Sequence, residues 1–190
     1  DSILIDTQFG IITLHDMISY TVMSHVMYCF VQSRSVNSIN ESISNGNISQ
    51  FLIRPVSMRI YLFIESLAES FVSFLFQSIP LLIFGIVLFN ITIPSFSAIF
   101  FYMLFLLNGF LIYYLLTTIA AGGAFWVVKV GPINALLEGL IKIFSGVWIP
   151  IWFLEDWLLK LTNVFPLQNI YFYPIAVYLN KISGTDLYKS

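Results

Sequence analysis

Few side chains in this sequence have the chemistry to hold a charge or move a proton, and their spacing says what each can do. Glu138 and Lys142 lie four residues apart, which puts them on one face of a helix. That spacing suits mutual pairing, with the lining of a substrate path as the other role. Glu65 and Glu69 are also one helical turn apart, but no basic residue stands at matching spacing. They are expected at a membrane interface and not around a cation. His15 and His25 are ten residues apart without a cluster of Cys or carboxylates, so no metal site is expected. Cys29 is the single cysteine and reads as a small core residue. No glycine-rich run followed by Lys and Ser or Thr is present to cradle phosphates, and no nucleophile elbow occurs. The sequence therefore predicts neither an enzyme nor a bound cofactor. The Asn-x-Ser/Thr triplets at Asn40, Asn47 and Asn90 read as incidental.

The elements that must position these residues are set by a different solvent. Hydrophobic residues make up 58% of the 190 positions and charged ones only 9%, against about 25% in a typical soluble domain. Stretches such as Phe71 to Phe89 and Ser97 to Val128 carry no charge. In hydrocarbon every backbone amide must bond within the protein, which leaves helices or a closed barrel. Phe100 to Leu116 is apolar on nearly every side instead of alternating, so helices are expected. The predicted fold class is all-α: a polytopic transmembrane helical bundle forming one domain. A net charge of -2 gives no basic stripe for nucleic acid, which is excluded as a partner. Membrane lipid is the expected surround.

Four spans are predicted, over residues 14–32, 60–89, 97–128 and 133–149. The first is the least apolar, and Ser19, Thr21, Ser24 and His25 suit a face packed on other helices. Pro80 predicts a kink in the second span. The fourth closes at a glycine and a proline, in the run from Ser145 to Pro150. Residues 152–178 are expected to be an external aromatic segment, with Trp152, Trp157, Tyr171, Phe172 and Tyr173 suited to anchoring at the membrane interface. Arg34, Arg54, Arg59 and Lys129 fall on one side of this topology, against Lys160, Lys181 and Lys189 on the other, so residues 33–57 are expected to be cytoplasmic.

That loop carries an apolar pattern of its own. Val36, Ile39 and Ile43 recur at helical spacing before the run from Ser44 to Asn47, and Ile48, Phe51 and Leu52 form a second patch ahead of Arg54 and Pro55. Either it lies on lipid as an amphipathic helix or it is a docking face.

At this point a resemblance can be stated. The run INESISNGNISQFLIRPVS, residues 39–57, resembles the loop after the second span of type-two ABC exporter permeases. AFWVVKVGPINALLEGLIKIFSGVWIPIWFLEDWL, residues 124–158, and FPLQNIYFYPIAVYL, residues 165–179, resemble later portions of the same family in the same order. The family has six spans, and the first and last have no counterpart here, so the sequence reads as a fragment. The resemblance implies a permease that works as a homodimer or heterodimer, each copy docked on a separate ATP-binding subunit. That partner holds ATP and Mg, and none is bound by this chain. It implies that Ile39, Glu41, Ile43 and Gly46 form the coupling element, joined to the next helix by Phe51, Leu52, Arg54 and Pro55. It also favours an external gate at Ser145, Gly146, Pro150, Trp152 and Trp157. The function implied is export of an apolar or amphipathic substrate through the plasma membrane of a bacterium. The alternative is a non-transporting anchor or immunity-type protein that binds a partner through its cytoplasmic loop.

Overall fold

The computed structural model describes residues 5–7, 10–32, 56–91, 96–123, 131–155, 157–158, 162 and 166–179. A short antiparallel ribbon comes first, with β1 (Ile5–Thr7) paired to β2 (Gly10–Ile12) so that Ile5 faces Ile12. This ribbon is the one departure from the all-helical expectation among the described residues, and everything after it is helix and turn.

Thr13 then starts α1 (Leu14–Val31) with a reciprocal cap. Its hydroxyl accepts from the Asp16 amide at 3.2 Å, and the Asp16 carboxylate accepts from the Thr13 amide at 3.1 Å. Two of the unpaired amides at the helix start are satisfied by this box. α1 is the central post of the bundle. Its buried positions include Ser19, Tyr20, Met23, Ser24, Met27 and Phe30, in pairs one turn apart. The helix sheltered by protein is also the least apolar, because neighbours and not lipid surround its hydroxyls. Thr21 and His25, which the sequence placed with this face, are exposed instead, and Thr21 bonds the Met17 carbonyl one turn back.

A second continuous helix runs from Met58 to Phe89 in three parts: α2 (Met58–Ser73), a π-turn over Phe74–Ser78, and α3 (Ile79–Phe89). The π-turn sits just ahead of Pro80. Proline has no amide to give and its ring collides with the carbonyl four residues back, so an ordinary turn cannot pass through it. Widening that turn relieves the conflict, and the Ile79 amide bonds the Phe74 carbonyl five residues back. The helix ends at Asn90, whose backbone turns left-handed at φ 49° and whose carbonyl lies 3.3 Å from His15 at the start of α1.

α4 (Phe96–Gly122) returns antiparallel, and α5 (Gly131–Phe144) rises again beside it. The expected ends of these spans, at residues 124–128 for the third and 145–149 for the fourth, do not continue as described helix: 124–130 lie outside the described residues, and 145–149 form a turn. Two 3-10 turns, Ile151–Phe153 and Pro166–Asn169, precede the short α6 (Phe172–Tyr178), which lies against α4 and α1.

The interior is rich in aromatic rings. Phe30 meets Phe74 and Phe110 edge-on with ring centres 5.8 and 5.9 Å apart, and Phe63 meets Tyr114 at 5.3 Å. Such offset and edge-to-face pairs gain electrostatically over stacked faces. Hydroxyls on neighbouring helices tie the rest to α1: Ser78 donates to the Val26 carbonyl at 3.0 Å and Tyr102 to the Met23 carbonyl at 3.2 Å. Between helices in lipid, contacts of this kind replace the hydrophobic effect as the source of cohesion.

Candidate functional site

The predicted coupling residues Ile39, Glu41, Ile43, Gly46, Phe51, Leu52, Arg54 and Pro55 lie outside the described residues. The charges and the turn beyond α5 are placed, and α1 is what gathers them.

Glu138 and Lys142 sit on the face of α5 that turns toward α1. Lys142 Nζ is 3.5 Å from Glu138 Oε2, with side chains 18% and 23% exposed. The same ammonium stands 5.3 Å from the ring centre of Tyr28 and 5.7 Å from that of Trp148. Gln32 at the end of α1 donates to Glu138 Oε2 at 3.5 Å. The charge pair is thus enclosed by rings and an amide, which spreads the cost of holding it among apolar helices.

One turn further the helix stops. Gly146 has φ +87°, a left-handed conformation that suits glycine. Its carbonyl accepts from the Tyr20 hydroxyl at 2.7 Å, inside the bundle. Of the other residues assigned to a gate, Ser145 is fully buried, and its hydroxyl has no partner among the described residues. Pro150 leads into the first 3-10 turn, and Trp152 lies within that turn. Trp157 is exposed and donates to Glu155 at 2.8 Å. Gly146 and Ser145 therefore face inward, while Trp157 stands outside.

The aromatic segment divides in the same way. Tyr171 and Phe172 were expected as interface anchors, yet both are buried, with Ile170 and Ile175 beside them. The reason is Gly109. With no side chain there, the backbone of α4 approaches Ile170 so closely that a Cβ on Gly109 would stand 2.9 Å from the Ile170 carbonyl oxygen. The segment packs backbone to backbone on the helix, and its rings fill the space to either side. At its far end the Tyr178 ring lies 6.0 Å from that of Tyr102.

Glu65 and Glu69 share a cavity wall. Both line a cavity of about 700 Å³ between α1 and α2, together with Tyr28, Gln32, Ser73 and Gln77. Cys29, half-buried, lines it too. Glu65 Oε1 accepts from the Tyr61 hydroxyl at 3.5 Å, and its Oε2 is buried without a partner among the described residues. The signal for this site was present in the sequence as a polar residue every fourth position, but the opposing wall from α1 was not.

Among the described residues two helices, Met58–Phe89 and Ile99–Gly122, are long and apolar enough to cross a membrane. Their apolar and mostly unburied surfaces are those of a helical membrane protein. Residues 7–189 match the family model described as ABC-2 family transporter protein, and the chain belongs to that family. It is an ABC transporter permease. No curated protein and no solved structure matches the chain.

Proposed function

We propose that this chain is the membrane subunit of an ATP-driven exporter, moving an apolar or amphipathic substrate outward while a separate ATP-binding subunit hydrolyses ATP with Mg. The observation that carries the reading is the family match over residues 7–189, which spans every described helix. In this reading residues 33–57 are cytoplasmic, the permease sits in the plasma membrane as a multi-pass protein, and it pairs with a second copy or a homologue. Ile39, Glu41, Ile43 and Gly46 contact the ATPase. Phe51, Leu52, Arg54 and Pro55 join that contact to the start of α2, so closure of the ATPase pair tilts the helices as rigid bodies. Gly146, Ser145 and the segment that follows form the external gate, with Pro150, Trp152 and Trp157 at its rim.

The test is co-purification with an ATPase carrying a phosphate-binding loop, followed by reconstitution in lipid. Gly46→Val and Arg54→Ala should leave the complex assembled and lower substrate-stimulated ATP hydrolysis severalfold. Hydrolysis that ignores both substitutions, or a chain that co-purifies with no ATPase, overturns the reading.

A further inference from the structure

The two membrane-crossing helices pack on α1 and hardly on each other. Ser78, just ahead of α3, is tied to the Val26 carbonyl at 3.0 Å, and Tyr102 of α4 to the Met23 carbonyl at 3.2 Å. Helices hung on a common post leave a gap between their outer faces. That gap is a cavity of about 190 Å³ at the end of the bundle where α3 stops and α4 begins. Leu82 and Ile86 of α3 form one lip and Ile99 and Met103 of α4 the other, with Met23 of α1 and Tyr178 of α6 at the back. Ile86, Ile99 and Met103 are exposed, so the mouth opens on the apolar outer surface of the two helices, whereas Met23 is buried.

The wall decides what can enter. Among the described residues its accessible part is almost wholly apolar, and the Tyr102 hydroxyl is spent on the Met23 carbonyl. An ordered water needs roughly two to four polar partners, and a cavity of about 150 Å³ lined by aliphatic and aromatic side chains stays dry and takes apolar molecules. Water therefore gains nothing here. Size narrows the choice further. Pockets for whole drug-sized molecules run from roughly 300 to 1,000 Å³, and a helix with its side chains is about 10–12 Å across. Neither an intact cargo molecule nor a helix of another chain fits, but an alkyl chain is narrow enough. Left empty, the lining would forgo the dispersion contacts that a filled space supplies, and the medium at the mouth of a membrane-crossing pair is itself hydrocarbon.

We propose that this cavity seats a stretch of one acyl chain of a membrane phospholipid, which enters sideways between α3 and α4 and lies against Met23 and Tyr178. The proposal rests on the membrane setting of these helices and not on the direction or cargo of transport.

The test is carbene labelling of the full-length protein in lipid nanodiscs. The probe is a phosphatidylcholine with a diazirine midway along one acyl chain, diluted into unlabelled phosphatidylcholine, and adducts are mapped by peptide mass spectrometry. Phe84 and Val87, exposed on α3, report any lipid that passes. Met23 reports only a chain inside the cavity, because it stands behind both helices. The native protein should carry adducts at Met23 and Tyr178 as well as at Phe84 and Val87. Leu82→Trp fills the cavity and should lower the Met23 and Tyr178 adducts severalfold while leaving those at Phe84 and Val87. Met103→Trp blocks the opposite lip and should do the same, so the prediction is still read where one of the two variants fails to fold. Adducts confined to the outer surface of the native protein overturn the proposal. So do Met23 adducts that neither substitution lowers, since the chain would then reach α1 by another route. Labelling of Met23 in monomers but not in dimers also overturns it, since a second copy would then cover the mouth.

Discussion

Gly146 and Tyr20 show how much a single contact can carry in the interior of a helical bundle. The turn after α5 places a carbonyl in the interior, where an unpaired oxygen costs about 1–3 kcal/mol, and the Tyr20 hydroxyl meets it at 2.7 Å. A Cβ on Gly146 would stand 2.9 Å from that hydroxyl and 3.0 Å from Ile151, and the backbone at φ +87° resists any side chain. Tyr20→Phe is expected to destabilise the protein by about 1–2 kcal/mol through the orphaned carbonyl. Gly146→Ala should cost about 1–3 kcal/mol through strain and crowding together. Thermal unfolding in detergent reads both, and the double variant should fall well short of the sum, since the two changes break one contact. Melting points that stay at the native value for both variants would show that this turn is not anchored to α1. The glycine was legible in the sequence as a break after the fourth span. Its partner, 126 residues away, was not, because a tyrosine in an apolar helix reads only as bulk.

The elements follow local rules more closely than long-range ones. Pro80 announced a disturbance in the second helix, but whether proline kinks a helix or is absorbed by a widened turn depends on what the helix packs against. Here Ser78 must reach the Val26 carbonyl, and the π-turn brings it there. The last segment is the clearer case. Its aromatic composition fits an interface belt as well as a core, and composition alone chose the belt. What decides for the core is Gly109, a residue some sixty positions earlier that lets the Ile170 backbone come close. Gly109→Ala is therefore expected to push α6 outward. The added methyl cannot be accommodated by a side-chain rotation, because the atom it meets is backbone, so the cost should be about 1–3 kcal/mol. Hydrogen exchange is the measurement that locates the effect: amides of Ile170 to Tyr178 should exchange faster while those of α1 keep their protection. Unchanged exchange in that stretch would mean the segment is held by its rings and not by the close approach.

At the scale of the whole molecule, the two apolar helices present very different shares of their surface to protein. Only 11% of the most apolar window of Met58–Phe89 is buried, against 33% for Ile99–Gly122. The second helix therefore works as a wall with one inner and one outer face, and two residues at nearly the same depth separate what each face does. Phe76 points outward and is 75% exposed, whereas Ser78 is fully buried against α1. A charge at the first position must be carried into hydrocarbon, at a cost of roughly 2.5–3.5 kcal/mol for a residue near the centre of a span. Bulk at the second position meets no lipid but has to displace α1, an overpacking cost of about 1–3 kcal/mol. Phe76→Asp should thus lower the fraction of chains that insert, seen as loss from the carbonate-resistant membrane pellet. Phe76→Leu should insert like the native protein. Ser78→Leu should reverse the pattern, inserting normally and then unfolding at lower temperature once extracted in detergent, because insertion reads each helix singly while folding reads the bundle. If Phe76→Asp inserts as well as the native chain, that face meets water or another protein surface, and the division of the helix into a lipid side and a protein side would have to be redrawn.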